Sequence, residues 1–166
     1  MNKSKIEIGI LGGSFDPAHK GHLAISKEAR KRFKLKKIIW AITKKNPLKA
    51  VSKTPVSKRI KDCKKLIGSN TFIKVKFYED TINSNKTIDL INYLKKNRKL
   101  EIFFLMGADN LISFHKWHKS KLITEKCNII VFDRHGYKKN SLKSKTFKKL
   151  NNKTLTFVKF KKVNIS

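Results

Sequence analysis

Acidic residues are scarce in this chain. Eleven Asp and Glu stand against 41 Lys and Arg, a formal charge of +30 over 166 residues. Arginine is scarce too: it occurs only at 30, 32, 59, 98 and 134, which leaves 36 lysines spread through nearly every segment. With no Arg-rich tract and no recognisable nucleic-acid-binding motif, the charge reads as a lysine-biased solvated surface rather than the footprint of a nucleic acid. It still helps to attract anionic substrates. Cysteine is limited to Cys63 and Cys127, far apart and each within an apolar pattern. That excludes a disulfide framework and a C-x-x-C zinc site, and implies reduced core thiols of a cytoplasmic protein. No apolar run is long enough to span a bilayer, and no apolar leader follows the polar Met1 to Lys5. No internal repeat and no interdomain linker is visible, so residues 1–166 read as one domain, long enough to bury a proper core.

The most informative stretch runs from Gly12 to His22: Gly-Gly-Ser-Phe-Asp-Pro-Ala-His-Lys-Gly-His. The apolar run Ile6 to Leu11 precedes it, and the helix-patterned run Leu23 to Phe33 follows it. It is therefore a strand-to-helix turn, which aims the unpaired N–H groups of a helix N-terminus at an anion, above all a phosphate. Gly12 and Gly13 let backbone approach a ligand. With His22 opening the helix, His19 and His22 lean over one N-terminus and stabilise charge growing on a phosphate. The pattern matches neither Walker A nor the G-x-G-x-x-G fingerprint. Asp16 reads as a residue that fixes the turn by an Asx-type bond.

Further along, short apolar runs alternate with helix-patterned runs, which implies βαβ units. Strands are expected at Ile38 to Thr43, Phe72 to Tyr78 (nearer a sheet edge), Ile102 to Met106, Ile129 to Phe132 and Leu155 to Phe160. Helices are expected after Pro55, with Val56, Ile60, Cys63 and Ile67 buried, and over Thr87 to Lys96, with Ile88, Ile91 and Leu94 inward. Two short pieces follow, to Phe114 and over Trp117 to Thr124. Lys44 to Pro55 reads as a loop, and Lys138 to Lys153 carries a weak pattern. The fold class is α/β: a Rossmann-like, doubly wound, mostly parallel sheet of five to six strands with helices on both faces.

In such a sheet, ligands sit beyond the carboxyl ends of the strands. Gly12 to His22, Gly107 to Asn110, Asp133 to Tyr137 and the Lys44 to Pro55 loop all lie at such ends. Asp109 could accept from a ribose hydroxyl, hold a metal-bound water, or cap the next helix. Trp117 either stacks on a flat heteroaromatic ring or belongs to the core. Arg134 could pair with phosphate or sit in a surface loop, and Lys49 could touch phosphate. There is no Ser-His-Asp or Cys-His arrangement and no convincing metal-ligand cluster.

The order strand, Gly-Gly, Ser-Phe-Asp-Pro, His19-Lys20-Gly21-His22, helix resembles the signature of the H-x-G-H nucleotidylyltransferases. Asn46 to Lys49, Lys86-Thr87-Ile88-Asp89, Met106 to Asn110, Phe114 with Trp117, and Arg134-x-Gly136-Tyr137 together resemble bacterial nicotinate-nucleotide adenylyltransferase. Leu48 stands where that family often has His, and His118 where it often has Tyr. The family's I-S-S-T-x-I-R segment would begin at Ile165-Ser166, so the expectation is a domain without that segment.

The resemblance implies adenylyl transfer from ATP to nicotinate mononucleotide, giving deamido-NAD and pyrophosphate in NAD biosynthesis. It implies His19 and His22 as the catalytic pair. ATP would be bound by Gly12, Gly13, Ser14, Phe15, His19, His22, Gly107 and Asp109, and the second substrate by Lys49, Thr87, Trp117, His118 and Arg134. Mg²⁺ would arrive with ATP and not on a dedicated protein cluster. The alternatives are another H-x-G-H enzyme, such as phosphopantetheine adenylyltransferase or a cytidylyltransferase, and a basic RNA-binding protein that lacks the chemistry.

Overall fold

Apolar runs too short for helices alternate with amphipathic ones, the pattern from which parallel strands with helical crossovers are built. The computed structural model describes residues 4–44, 54–133 and 155–158. Six strands form one parallel sheet: β1 (Ile6–Gly13), β2 (Lys37–Ile42), β3 (Ile73–Lys76), β4 (Leu100–Gly107), β5 (Asn128–Phe132) and β6 (Leu155–Val158). Their order is β3-β2-β1-β4-β5-β6. The chain thus winds outward in one direction from β1 to β3, then restarts on the other side at β4. The crevice between the carboxyl ends of β1 and β4 is the switch point where such sheets take ligands.

Period-two alternation divides the strands between two cores. Ile8, Ile10, Ile39, Ile102, Phe104, Ile129 and Val131 point to one face. There they meet Ile88 and Ile91 of α4 (Thr87–Leu94), Leu111 and Phe114 of α5 (Ala108–Phe114), and Ile123 of α6 (Ser120–Lys126). Leu11, Ile38, Trp40, Ile42, Leu105, Ile130 and Phe132 point to the other, against Ala29 of α1 (Lys20–Phe33) and Cys63 and Ile67 of α2 (Val56–Ile67). Each fully buried aliphatic or aromatic side chain contributes roughly 1.5–3 kcal/mol. Burial on both sides therefore fixes the central strands, and with them the backbone from which the site projects. Gly9 is closely packed: a Cβ there would lie 2.7 Å from Ile38 Cδ1 and 3.0 Å from Leu35 Cδ1, and those side-chain ends would have to shift.

The structure corrects several boundaries. Helix α1 begins at Lys20, two residues before His22, because His19 supplies its cap. An additional short helix, α3 (Glu79–Ile82), fills the stretch before Thr87. Trp117 is not helical. Lys119, at φ 53°, turns the chain into the left-handed region, and α6 starts only at Ser120. Strand β3 is shorter than Phe72 to Tyr78 and lies at the sheet edge. Most of the Lys44 to Pro55 loop, the 138–153 stretch and the end of the last strand lie outside the described residues.

Candidate active site

A helix that starts with His-Lys-Gly-His has no Ser, Thr or Asp to take its first N–H groups, so the histidines themselves do it. His19 is the N-cap, and its Nδ1 accepts from the Gly21 N–H at 3.1 Å. His22 Nδ1 accepts in return from the His19 N–H at 3.1 Å. The two side chains form a reciprocal capping box, and their rings stack with centroids 3.8 Å apart at 24°. A nitrogen that accepts from a backbone N–H carries no proton. In the neutral form, each ring must therefore hold its hydrogen on Nε2. The cap thus converts both imidazoles into Nε2–H donors at one helix N-terminus.

The pair rests on a buried, hydrogen-bonded base. Trp40 is fully buried and donates through Nε1 to Ser26 Oγ at 2.8 Å. Ser26 Oγ donates in turn to the His22 carbonyl at 2.8 Å. Phe15 adopts φ 51°, a conformation rare outside glycine. The residue is 2% exposed; its ring stacks on Trp40 at 5.1 Å and lies tilted 4.6 Å from His22. Phe15 as a whole, backbone and ring, thus has little surface to offer a nucleotide. Gly12 and Gly13 differ from Gly9. A Cβ at Gly12 would meet only Phe104 Cζ at 3.8 Å, and one at Gly13 only Phe15 at 3.5 Å or more. The protein's own packing does not demand glycine at either position.

A small cleft of about 40 Å³, open to solvent, lies beside this turn on the α3 and α4 face. Gly12, Thr43, Tyr78, Glu79, Thr87 and Phe104 are among its walls. Glu79 Oε1 accepts from the Lys44 N–H at 2.7 Å. Its Oε2 is buried without a partner among the described residues, as is Thr43 Oγ1. Burial raises the Glu79 carboxyl above the usual range, against the opposing effect of the Lys44 N–H; Asp80 adds to the rise. Burial likewise raises the Tyr78 phenol.

Thr87 opens α4 and faces the cleft. Gly107, at the end of β4, takes the N-cap position of α5, so Asp109 sits inside the helix and is not its cap. Trp117 is half-buried, 5.0 Å from Phe114 and edge-on to Phe104 at 5.9 Å, so it backs the cleft wall through Phe104. His118 is exposed. Lys49, Arg134, Gly136 and Tyr137 lie outside the described residues. The strand ends at Gly13, Ile42, Gly107 and Phe132 are neighbours along one edge of the sheet; of the segments expected to converge there, 45–53 and 134–137 lie outside the described residues. Among the described residues no group of three or more His, Cys, Asp and Glu is placed to hold a metal, and no helix is long and apolar enough to cross a membrane.

Sequence reasoning missed Arg59. It is 2% exposed and donates to four carbonyls. A signal was present: Arg59, Cys63 and Ile67 are four apart, on the buried stripe of α2. An arginine at a core position among so many lysines marks a buried, fork-shaped contact. Glu79, Tyr78 and the Trp40–Ser26 pair were missed as well, since nothing local ties them to the turn.

A model of the family described as Cytidylyltransferase-like matches residues 10–166. A probable nicotinate-nucleotide adenylyltransferase of Pelagibacter ubique (strain HTCC1062) is 65% identical over 166 residues, covering all of this chain and 92% of the relative. One of Agrobacterium fabrum is 38% identical over 131 residues, 78% of this chain and 70% of the relative. Among solved structures, Plasmodium falciparum nicotinic acid mononucleotide adenylyltransferase complexed with NaAD superimposes with a TM-score of 0.75 at 19% identity. It covers 95% of this chain and 77% of that one. At that identity the likeness speaks for the fold.

Proposed function

The chain belongs to the nicotinate-nucleotide adenylyltransferases of the cytidylyltransferase-like family, and on that premise we propose that it joins ATP to nicotinate mononucleotide, giving deamido-NAD and pyrophosphate. A 5′-phosphate oxygen of the mononucleotide attacks the α-phosphorus of ATP in line. The new P–O bond forms as the bond to the bridging oxygen breaks, and the electron pair leaves with pyrophosphate. No protein nucleophile is needed, because positioning and charge stabilisation can supply the catalysis.

The observation that carries this reading is the two-histidine capping box. It sets two Nε2–H donors at the N-terminus of α1, a place suited to phosphate oxygens. Gly12 and Gly13, where packing leaves room for a side chain, give the triphosphate close access to backbone. The mononucleotide lies along the mouth of the small cleft beside them, not enclosed by it. Thr87 meets the pyridine end, Trp117 supports it, and the buried oxygens of Thr43 and Glu79 supply polar partners. Gly107 and Asp109, at the switch point, face the adenosine side. His118, Lys49 and Arg134 are proposed to contact the second substrate. Mg²⁺ enters as part of the substrate, on the phosphates of ATP, where it neutralises charge. We place the reaction in the cytoplasm, where ATP is supplied and the thiols stay reduced. Incubating the purified chain with Mg-ATP and nicotinate mononucleotide should yield deamido-NAD on chromatography, dependent on both substrates; its absence refutes the reading.

A further inference from the structure

Arg59 is held in a way that its place on a solvated helix does not require. Nη1 donates to the Ser14 carbonyl at 2.9 Å and to the Thr43 carbonyl at 2.8 Å. Nη2 donates to the Lys44 carbonyl at 3.2 Å, and Nε to the Thr54 carbonyl at 3.0 Å. These carbonyls belong to three separate segments: the turn after β1, the end of β2 and the lead into α2. The Lys44 peptide is gripped from both sides, its carbonyl by Arg59 and its N–H by Glu79. The Thr43 N–H adds a bond to the Gly13 carbonyl at 2.8 Å. All four acceptors are neutral, and the ion pairs among the described residues, Arg32–Glu28 and Lys58–Asp62, do not include Arg59. The guanidinium therefore sits in a desolvated position beside the turn, with its donors on neutral carbonyls and the Glu79 carboxyl close enough to feel its charge. A planar fork can span carbonyls from separate segments; the compact ammonium of lysine cannot.

We infer that Arg59 is a positioning residue for adenylyl transfer: its guanidinium locks the phosphate turn at Ser14 to the carboxyl end of β2, and so sets where His19 and His22 stand. This rests on the reading of that turn as the triphosphate site. Neither substrate is touched by Arg59; its effect runs through Ser14 and the backbone that follows.

The test uses the full chain with R59K and R59A, and reads melting temperature, kcat, KM for ATP, and the ¹⁵N signals of His19 and His22. Both variants are expected to fold. In R59A, kcat should fall on the order of 10²-fold, with a smaller change in KM, as for a misplaced reacting geometry. Millimolar guanidinium chloride should restore much of that loss in R59A and leave the unsubstituted chain unaffected. R59K should stay impaired, since it restores charge without the fork. Wild-type kcat in R59K, no rescue of folded R59A, or failure of both variants to fold would overturn the assignment. If the unsubstituted chain makes no deamido-NAD, the proposed function fails on its own account. The histidine signals then decide: they must shift in R59A and return with guanidinium.

Discussion

His19 and His22 cap the same helix end through one another. The Nδ1 of His22 holds the His19 N–H, the Nδ1 of His19 holds the Gly21 N–H, and the rings stack at 3.8 Å. One pair of side chains thus ends a helix and fixes two donor tautomers.

Substitution can separate those two roles. His19→Asn keeps an N-cap acceptor but removes the outer donor, so stability should hold within a few tenths of a kcal/mol while kcat falls on the order of 10²–10³-fold. His19→Ala should lose both the activity and about 1 kcal/mol of stability. Melting temperature and kcat, measured side by side, check this. Full activity in the asparagine variant would reduce His19 to a cap.

The glycines of β1 divide in the same way. Gly9→Ala forces a Cβ to within 2.7 Å of Ile38 Cδ1 and should destabilise by roughly 1–3 kcal/mol. Gly12→Ala has room, with Phe104 Cζ at 3.8 Å, and should leave the melting temperature nearly unchanged while weakening ATP binding. Calorimetric titration of each variant with ATP distinguishes them. A Gly12→Ala protein that binds ATP normally would remove the turn from the triphosphate site.

The thiols predict a pH dependence. Burial pushes Cys63 up to about 11, helped by Asp62 and opposed by Arg59, and Cys127 up to about 12, opposed by Lys95; the ordinary value is 9.0. The unfolded chain ionises near 9, while the folded chain resists until about 11 or 12. The stability that the neutral thiols contribute is therefore fully present below pH 9 and is lost as pH rises toward the folded values. Relative to a Cys63→Ala/Cys127→Ala variant, the urea midpoint of the parent should fall across that window. Parallel pH profiles would contradict the shifts.

Much of this was legible in the sequence because the signals were local. Apolar runs such as Ile102 to Met106, bounded by Gly107, announce central parallel strands, and the Gly12 to His22 order announces a strand-to-helix turn. The true start of α1 was hidden because histidine is a poor generic cap signal; only the reciprocal geometry of His19 and His22 reveals it. Arg59 and Glu79 were hidden for another reason. Their partners, Ser14, Thr43 and Lys44, lie 45, 16 and 35 residues away and meet them only after the sheet has formed. Trp117 remained divided between core and cleft, and the structure keeps it at the boundary, edge-on to a cleft wall.

The central claim is that this turn and cleft transfer an adenylyl group to nicotinate mononucleotide. The most direct measurement is pyrophosphate release from Mg-ATP with nicotinate mononucleotide, with phosphopantetheine, and with no acceptor, each in the parent and in His22→Ala. The account predicts release with nicotinate mononucleotide alone, reduced on the order of 10²–10³-fold in the variant. Release with phosphopantetheine in its place, or equal rates in parent and variant, would contradict it.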